Sequence, residues 1–235
     1  MNDTLAQAFV QAFSLLAGAD PALWEIVGLS LRVSLAAVGL AALVGLPIGA
    51  TLAVARFPGR RVLTVILNAL MGLPPVVVGL LIYLLLSRAG PLGELGLLFT
   101  PSAMVIAQTV LVTPIIAALA RQAVEDAWGE YAEQLKSLGA GPVQWALTLL
   151  WDCRFSLVTA ILAGFGRAAA EVGAVMIVGG NIAGVTRVMT TAIALETSKG
   201  DLPLALGLGI ILMAIVLGLN AAAYLVKEVA ERRHG

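Results

Sequence analysis

Apolar residues fall into five long runs, separated by short polar or Gly/Pro-rich breaks. The runs cover Ile26–Val54, Val62–Leu86, Ala103–Leu119, Phe155–Val178 and Leu202–Val226. Crossing about 30 Å of hydrocarbon takes roughly 20 apolar residues on a helix. In lipid, a helix is the only element of this length that satisfies its own backbone polar groups. The pattern therefore predicts an all-α integral membrane protein, a five-span helical bundle. Ahead of the first run, Leu5, Phe9, Ala12, Phe13 and Leu16 share one helical face, and Thr4, Gln7, Gln11 and Ser14 share another. That pattern predicts a short segment over residues 1–25, lying in the membrane interface or packed on the bundle. The expected organisation is then a membrane-spanning domain over 26–228 and a tail over 229–235.

Composition narrows the function classes. The chain of 235 residues is 60% hydrophobic and 12% charged, with a mean hydropathy of +0.99. A soluble domain carries about 25% charged residues, so the bilayer is the expected solvent for most of the surface. The net charge is zero, which argues against a nucleic-acid partner. Cys153 is the single cysteine and cannot form an internal disulfide. One His and one Cys make a Cys/His metal centre improbable, and no cofactor is expected in this chain. Residues 1–25 contain no Lys or Arg, so the basic region of a secretory signal is missing.

Basic residues orient the spans. Arg56, Arg60, Arg61, Arg121, Lys136, Arg154, Lys227, Arg232 and Arg233 fall on one side, and Arg88, Arg187 and Lys199 on the other. Nine against three predicts a cytoplasmic C-terminus and, for five spans, an external N-terminus.

One connection is out of scale. Residues 121–152 form an amphipathic cytoplasmic loop with Trp128, Tyr131, Trp145 and Trp151 among several charges. Loops of this length in compact domains are usually functional. The spacing predicts a helix up to Leu138, stopped by Gly139, with Pro142 in the first turn of a second helix. Such an elbow can dock a soluble partner or merely cover helix ends.

Glu133-Gln134-Leu135, then Gly139, then Leu149 resembles the Glu-Ala-Ala loop of ABC-importer permeases. Gln134 and Leu135 replace the two alanines, and Trp151-Asp152 replaces the terminal Leu-Pro. The resemblance implies that Glu133, Gly139 and Ala140 contact an ATPase subunit. Five spans with the loop between the third and fourth resemble the type I importer permease. Gly166-Arg167-Ala-Ala-Ala-Glu171-Val-Gly-Ala174 and Gly179-Gly-Asn181-Ile-Ala-Gly184-Val-Thr186 resemble the molybdate, tungstate and sulfate permeases. Phe57-Pro-Gly-Arg-Arg61 and Leu73-Pro-Pro-Val-Val-Val-Gly-Leu80 resemble the tungstate permeases most closely. The implied assembly is two copies of this chain in a bacterial-type inner membrane, two cytoplasmic ATP-binding subunits and an external oxyanion-binding protein. ATP and Mg would be bound by the ATPase subunits, since this chain has no Gly-x-x-x-x-Gly-Lys-Ser/Thr loop.

Candidate path residues are few. On a continuous fourth span, Arg167 and Glu171 would share a face at i, i+4. A charge in hydrocarbon normally faces protein or a water-filled path, so the pair belongs either at the anion route or its gate, or in a structural ion pair. Asn181 and Thr186 sit just outside that span, where Gly-rich turns can present backbone N–H groups to an anion. Three alternatives stand beside the oxyanion importer. An ABC permease for another solute, such as phosphate or an amino acid, would share the loop. An ion-coupled carrier would be expected to show an internal repeat, and a membrane enzyme would need a clustered nucleophile, base or metal set; the sequence shows neither.

Overall fold

The structure, a computed structural model, describes residues 10, 14, 18 and 21–234. The expected interfacial segment over 1–25 therefore lies mostly outside the described residues. Among the described residues nine α-helices follow from residue 21: α1 Pro21–Val54, α2 Arg60–Leu70, α3 Pro75–Leu86, α4 Pro101–Ser137, α5 Pro142–Asp152, α6 Arg154–Ala169, α7 Gly173–Gly179, α8 Met189–Lys199 and α9 Leu202–His234. A 3₁₀ turn, Gly93–Leu95, precedes α4. No strand occurs among the described residues. Helices α1, α3, α4 and α5 all begin on proline, where the missing N–H costs nothing and the fixed φ suits the helix.

Length and composition qualify Pro21–Val54, Pro101–Ser137 and Leu202–Ala222 as spans. The count rises to five if α2 with α3, and α5 with α6, each make one broken span. Three expectations need correction. The second run is interrupted over residues 71–74, where Gly72, Pro74 and Pro75 stop a continuous ladder. The third run and the first half of the loop are one helix, α4, of 37 residues. The fourth run breaks after Ala169 and resumes as α7 at Gly173.

The chain divides into two compact units. The first takes residues 1–36, 75–108 and 169–220. Its core joins Leu23 and Val27 of α1, Met189 and Ala192 of α8, and Leu208 and Ile211 of α9. Helix α3 lies so close to α7 that a Cβ on Gly79 would sit 2.7 Å from the Ala174 Cα. The Ser30 hydroxyl accepts the Met189 N–H at 2.6 Å, fixing the start of α8. Residues 189–199, which lie between the fourth and fifth apolar runs, are thus a packed helix. Its Glu196 is buried and paired with Lys199 at 2.9 Å.

The second unit takes residues 37–74, 109–168 and 221–235. Its seam is α1 on α4. A Cβ on Gly45 would lie 3.1 Å from the Thr113 carbonyl oxygen, and one on Gly49 only 2.4 Å from that of Ala117. Small residues four apart let two backbones approach this closely in a membrane helix pair. Gly164 of α6 makes room for the Val112 and Ile116 side chains of α4, which a Cβ there would meet at 2.9 Å. A second cluster, Ala50, Ala53, Val54, Val124 and Leu149, closes the unit beneath the elbow.

Candidate functional site

The elbow between α4 and α5 is built by local chemistry. Gly139 adopts φ +70°, the left-handed conformation that glycine enters without a Cβ penalty. The Gly139 N–H donates to the Lys136 carbonyl at 3.0 Å, and the Ala140 N–H to that of Leu135 at 3.3 Å. These two bonds are the Schellman pattern that ends a helix and satisfies its last carbonyls. Gly141 then caps α5: its N–H donates to Gln144 Oε1 at 2.8 Å, and its carbonyl accepts the Trp145 N–H at 3.0 Å. Pro142 occupies the first helical position.

Aromatic packing ties the two arms together. The Trp128 and Trp145 rings lie 4.8 Å apart at a 42° tilt, and Lys136 sits 5.5 Å from the Trp128 centroid. Arg154 stacks on Trp151 and Phe155 at the 77° bend between α5 and α6. The carboxylate of Glu130, and then that of Asp152, raises the pKa of the Tyr131 hydroxyl above its ordinary value.

The apex points outward. Leu138 is 79% exposed, and Glu133, Lys136, Ser137 and Gly139 around it are also exposed. Ala140 is half-buried. On α5, Val143, Leu147 and Trp151 lie four residues apart, hence on one face, and are all exposed. An apolar patch rimmed by polar side chains is the signature of an interaction surface.

A charge clamp holds the base of this arm. Arg60, at the start of α2, donates through Nε to the Leu52 carbonyl at 2.6 Å and through Nη2 to that of Ala53 at 3.1 Å. The same guanidinium pairs with Glu125 at 2.7 Å, and Arg121 takes the other oxygen of that carboxylate. Arg60 thereby satisfies carbonyls left open at the end of α1 and links α1 and α2 to α4.

The other sequence candidates lie around α7. Helix α6 ends at Ala169, so Arg167 and Glu171 do not occupy successive turns of one helix, and the i, i+4 argument for a shared face fails. Glu171 is 3% exposed and accepts the Ala174 N–H at 3.0 Å. The Glu171 carbonyl accepts the Thr190 hydroxyl at 2.7 Å. Its carboxylate thus serves the open end of α7. Thr186 is fully buried; its hydroxyl donates to the Gly179 carbonyl at 2.6 Å and accepts the Ile182 N–H at 2.9 Å. Asn181 holds φ +50° and donates to the Thr191 carbonyl at 3.4 Å. Thr186 and Asn181 therefore shape the turn after α7 through their own hydrogen bonds. Sequence reading missed two features of the second unit. Gly45-x-x-x-Gly49 was visible as a spacing, whereas the Arg60–Glu125 pair joins residues 65 apart and leaves no local signal.

Comparison with known proteins places this geometry. Residues 45–234 match the family described as "Binding-protein-dependent transport system inner membrane component". The chain is 41% identical over 224 residues to the tungstate uptake system permease protein TupB of Peptoclostridium acidaminophilum, covering 95% of this chain and 98% of that one. It is 42% identical over 216 residues to a probable anion ABC transporter permease protein of Haloferax volcanii, covering 90% and 93%. In fold it is similar to a chain of the inward-facing MetNI methionine ABC transporter, with a TM-score of 0.72 at 18% identity over 89% of this chain and 98% of that one. The two-armed elbow, the apolar helices and the match over most of its length show that the chain belongs to the family of binding-protein-dependent transport system inner membrane components.

Proposed function

We propose that this chain is the membrane-spanning permease subunit of an ATP-driven importer, and that its cargo is tungstate. The elbow carries the mechanical half of the reading. A single exposed leucine, Leu138, stands at the apex of a rigid turn, on the end of a helix that also runs through the membrane-type part of the fold. Glu133, Gly139 and Ala140 then form the surface that an ATPase subunit grips. Movement of that subunit reaches the membrane through α4 without crossing a flexible joint at the elbow. The cargo rests on the strong likeness to a protein named for tungstate uptake.

The working assembly in this reading has two copies of the chain, two ATP-binding subunits and an external binding protein, in a bacterial-type inner membrane. The C-terminus is cytoplasmic and the N-terminus external. Arg167 and Glu171 flank the break between α6 and α7 and act at the anion route or its gate. Asn181 and Thr186 hold the turn that follows in shape for that role.

The test is ATP hydrolysis by the reconstituted complex, with tungstate, molybdate, sulfate and phosphate each presented on the binding protein. Stimulation by tungstate at the lowest concentration, abolished by Glu133→Ala, supports both halves of the proposal. Stimulation by a different anion overturns the cargo alone. Wild-type coupling in Glu133→Ala overturns Glu133 as a contact.

A further inference from the structure

The second unit contains a groove that the transport reading does not use. It lies among α1, α2 and α4, with a volume of about 560 Å³, within the roughly 300–1,000 Å³ of ligand-sized sites. Its walls are apolar, with Ile48 of α1, Phe57 of the α1–α2 turn, Ile66 and Leu70 of α2, and Pro114 of α4. One of its two hydroxyls, that of Thr113, already donates to the Thr109 carbonyl at 2.7 Å. The groove therefore offers hydrocarbon contact and almost nothing to a polar ligand body.

The chain on either side of the wall residue Phe57 has the opposite character. The α1–α2 turn that contributes Phe57 also carries Arg56 and leads into Arg60 and Arg61, the first residues of α2. Arg60 is committed to the Leu52 and Ala53 carbonyls and to Glu125. Arg56 and Arg61 are exposed and have no carboxylate partner among the described residues. Between them in sequence, Gly59 starts α2 without a side-chain cap, so the positive end of that helix adds to the charge of the segment, although the Arg60 N–H is taken by the Phe57 carbonyl at 3.3 Å. An occupant of this place needs a long apolar body and an anionic head.

We infer that the groove is a binding site for an anionic phospholipid, with an acyl chain along α2 and the phosphodiester held by Arg56 and Arg61. Charge complementarity with the arginines that flank Phe57 sets this apart from ordinary lipid contact, since a zwitterionic headgroup would bring its own cation to them. Each basic residue near an anionic headgroup contributes about fivefold in affinity, the equivalent of about 1 kcal/mol. The pair should therefore select phosphatidylglycerol over phosphatidylcholine by roughly 25-fold.

Native mass spectrometry of the full-length permease, purified and titrated with phosphatidylglycerol or phosphatidylcholine, reads this selectivity directly. The expected result is a strong preference for one retained phosphatidylglycerol in the wild type. Arg56→Gln with Arg61→Gln should collapse that preference, and Arg88→Gln, far along the chain and outside the groove, should leave it intact. A bulky side chain in the wall, Ile48→Phe, should lower retention of both lipids while the protein stays monodisperse. Equal retention of both lipids by the wild type overturns the inference, as does equal loss in Arg88→Gln and the double variant. Capture of the groove by a second copy, seen as a Phe57→Cys disulfide cross-link between copies with lipid excluded, also overturns it.

Discussion

Substituting Gly139 with alanine is the sharpest probe of the elbow. The residue sits at φ +70°, and a Cβ built there meets nothing within 4 Å. The whole cost is therefore conformational, with no clash to confuse it. An L-residue held in the left-handed region costs about 1–2 kcal/mol, a factor of roughly 5–30 in the population of the formed elbow. Because the apex is exposed, this cost falls on the elbow and leaves the buried core intact. Gly141, two residues away, supplies the control. Its φ is −93°, its Cβ would also meet open space, and alanine adopts that conformation freely. Asparagine tolerates the left-handed region better than alanine, so Gly139→Asn should recover part of the loss. The assay is the affinity of the reconstituted permease for its ATPase subunit, read beside transport-coupled hydrolysis. We expect Gly139→Ala to weaken both about 5–30-fold, Gly139→Asn to fall between, and Gly141→Ala, which exchanges one N-cap residue for a poorer one without backbone strain, to lose clearly less than Gly139→Ala. Equal behaviour of the two alanine variants would refute the reasoning, because only one of the two positions needs the left-handed backbone.

Other substitutions test the remaining contacts. Gly49→Ala forces α1 from α4, since its Cβ would approach the Ala117 carbonyl to 2.4 Å; overpacking of this kind costs about 1–3 kcal/mol and should lower the melting temperature in detergent, whereas Gly39→Ala, which faces open space, should not. Glu171→Ala strips the acceptor from the buried Ala174 N–H and should destabilise by about 1–3 kcal/mol, with Glu171→Gln recovering much of it by offering a carbonyl oxygen; a thermal-shift series in which the two variants agree would reject the capping role. Glu125→Gln should cost about 1 kcal/mol or less, because that carboxylate is 42% exposed and screened, and the difference from wild type should shrink when the melting curves are repeated at high salt.

What was legible in the sequence follows from the range of each signal. The elbow was readable because Gly139 and Pro142 act within a few residues of themselves, through φ and a missing N–H. The apolar runs were readable because hydropathy sums over a window. The break at residues 170–172 was not, because a helix and an interrupted helix in a membrane have nearly the same composition. Glu171 was the clue: a buried carboxylate two residues ahead of Gly173 serves the N–H groups of a new helix start. Helix α8 was missed for the opposite reason. Met189-Thr-Thr-Ala-Ile-Ala-Leu-Glu-Thr-Ser-Lys199 is too polar for a lipid-facing span and falls outside the five apolar runs. Its polar groups are satisfied inside the first unit, with Thr190 donating to Glu171 and Glu196 paired to Lys199. Hydropathy reports exposure to lipid, and says little about a helix sheltered by protein.

The continuity of α4 has a mechanical consequence within the second unit. A helix of 37 residues is about 55 Å long, well beyond the roughly 30 Å of hydrocarbon. Its proline, Pro114, precedes the residues that grip the rest of the unit: Ala117 and Ala120 against Gly49, then Arg121 and Glu125 in the clamp with Arg60. From Ala117 to Ser137 the helix carries no proline. Load applied at Leu138 therefore passes through the Arg60 clamp and the α1 seam before it reaches Pro114, the proline inside α4. Moving Pro114 is the way to separate lever from hinge. Pro114→Ala restores the missing hydrogen bond and stiffens the upper helix, and should leave ATPase binding unchanged while altering transport per ATP. A proline introduced at Ala127 puts a break between apex and clamp, and should uncouple hydrolysis from transport with the elbow still able to bind. If both variants transport as the wild type does, α4 is not the element that carries the motion.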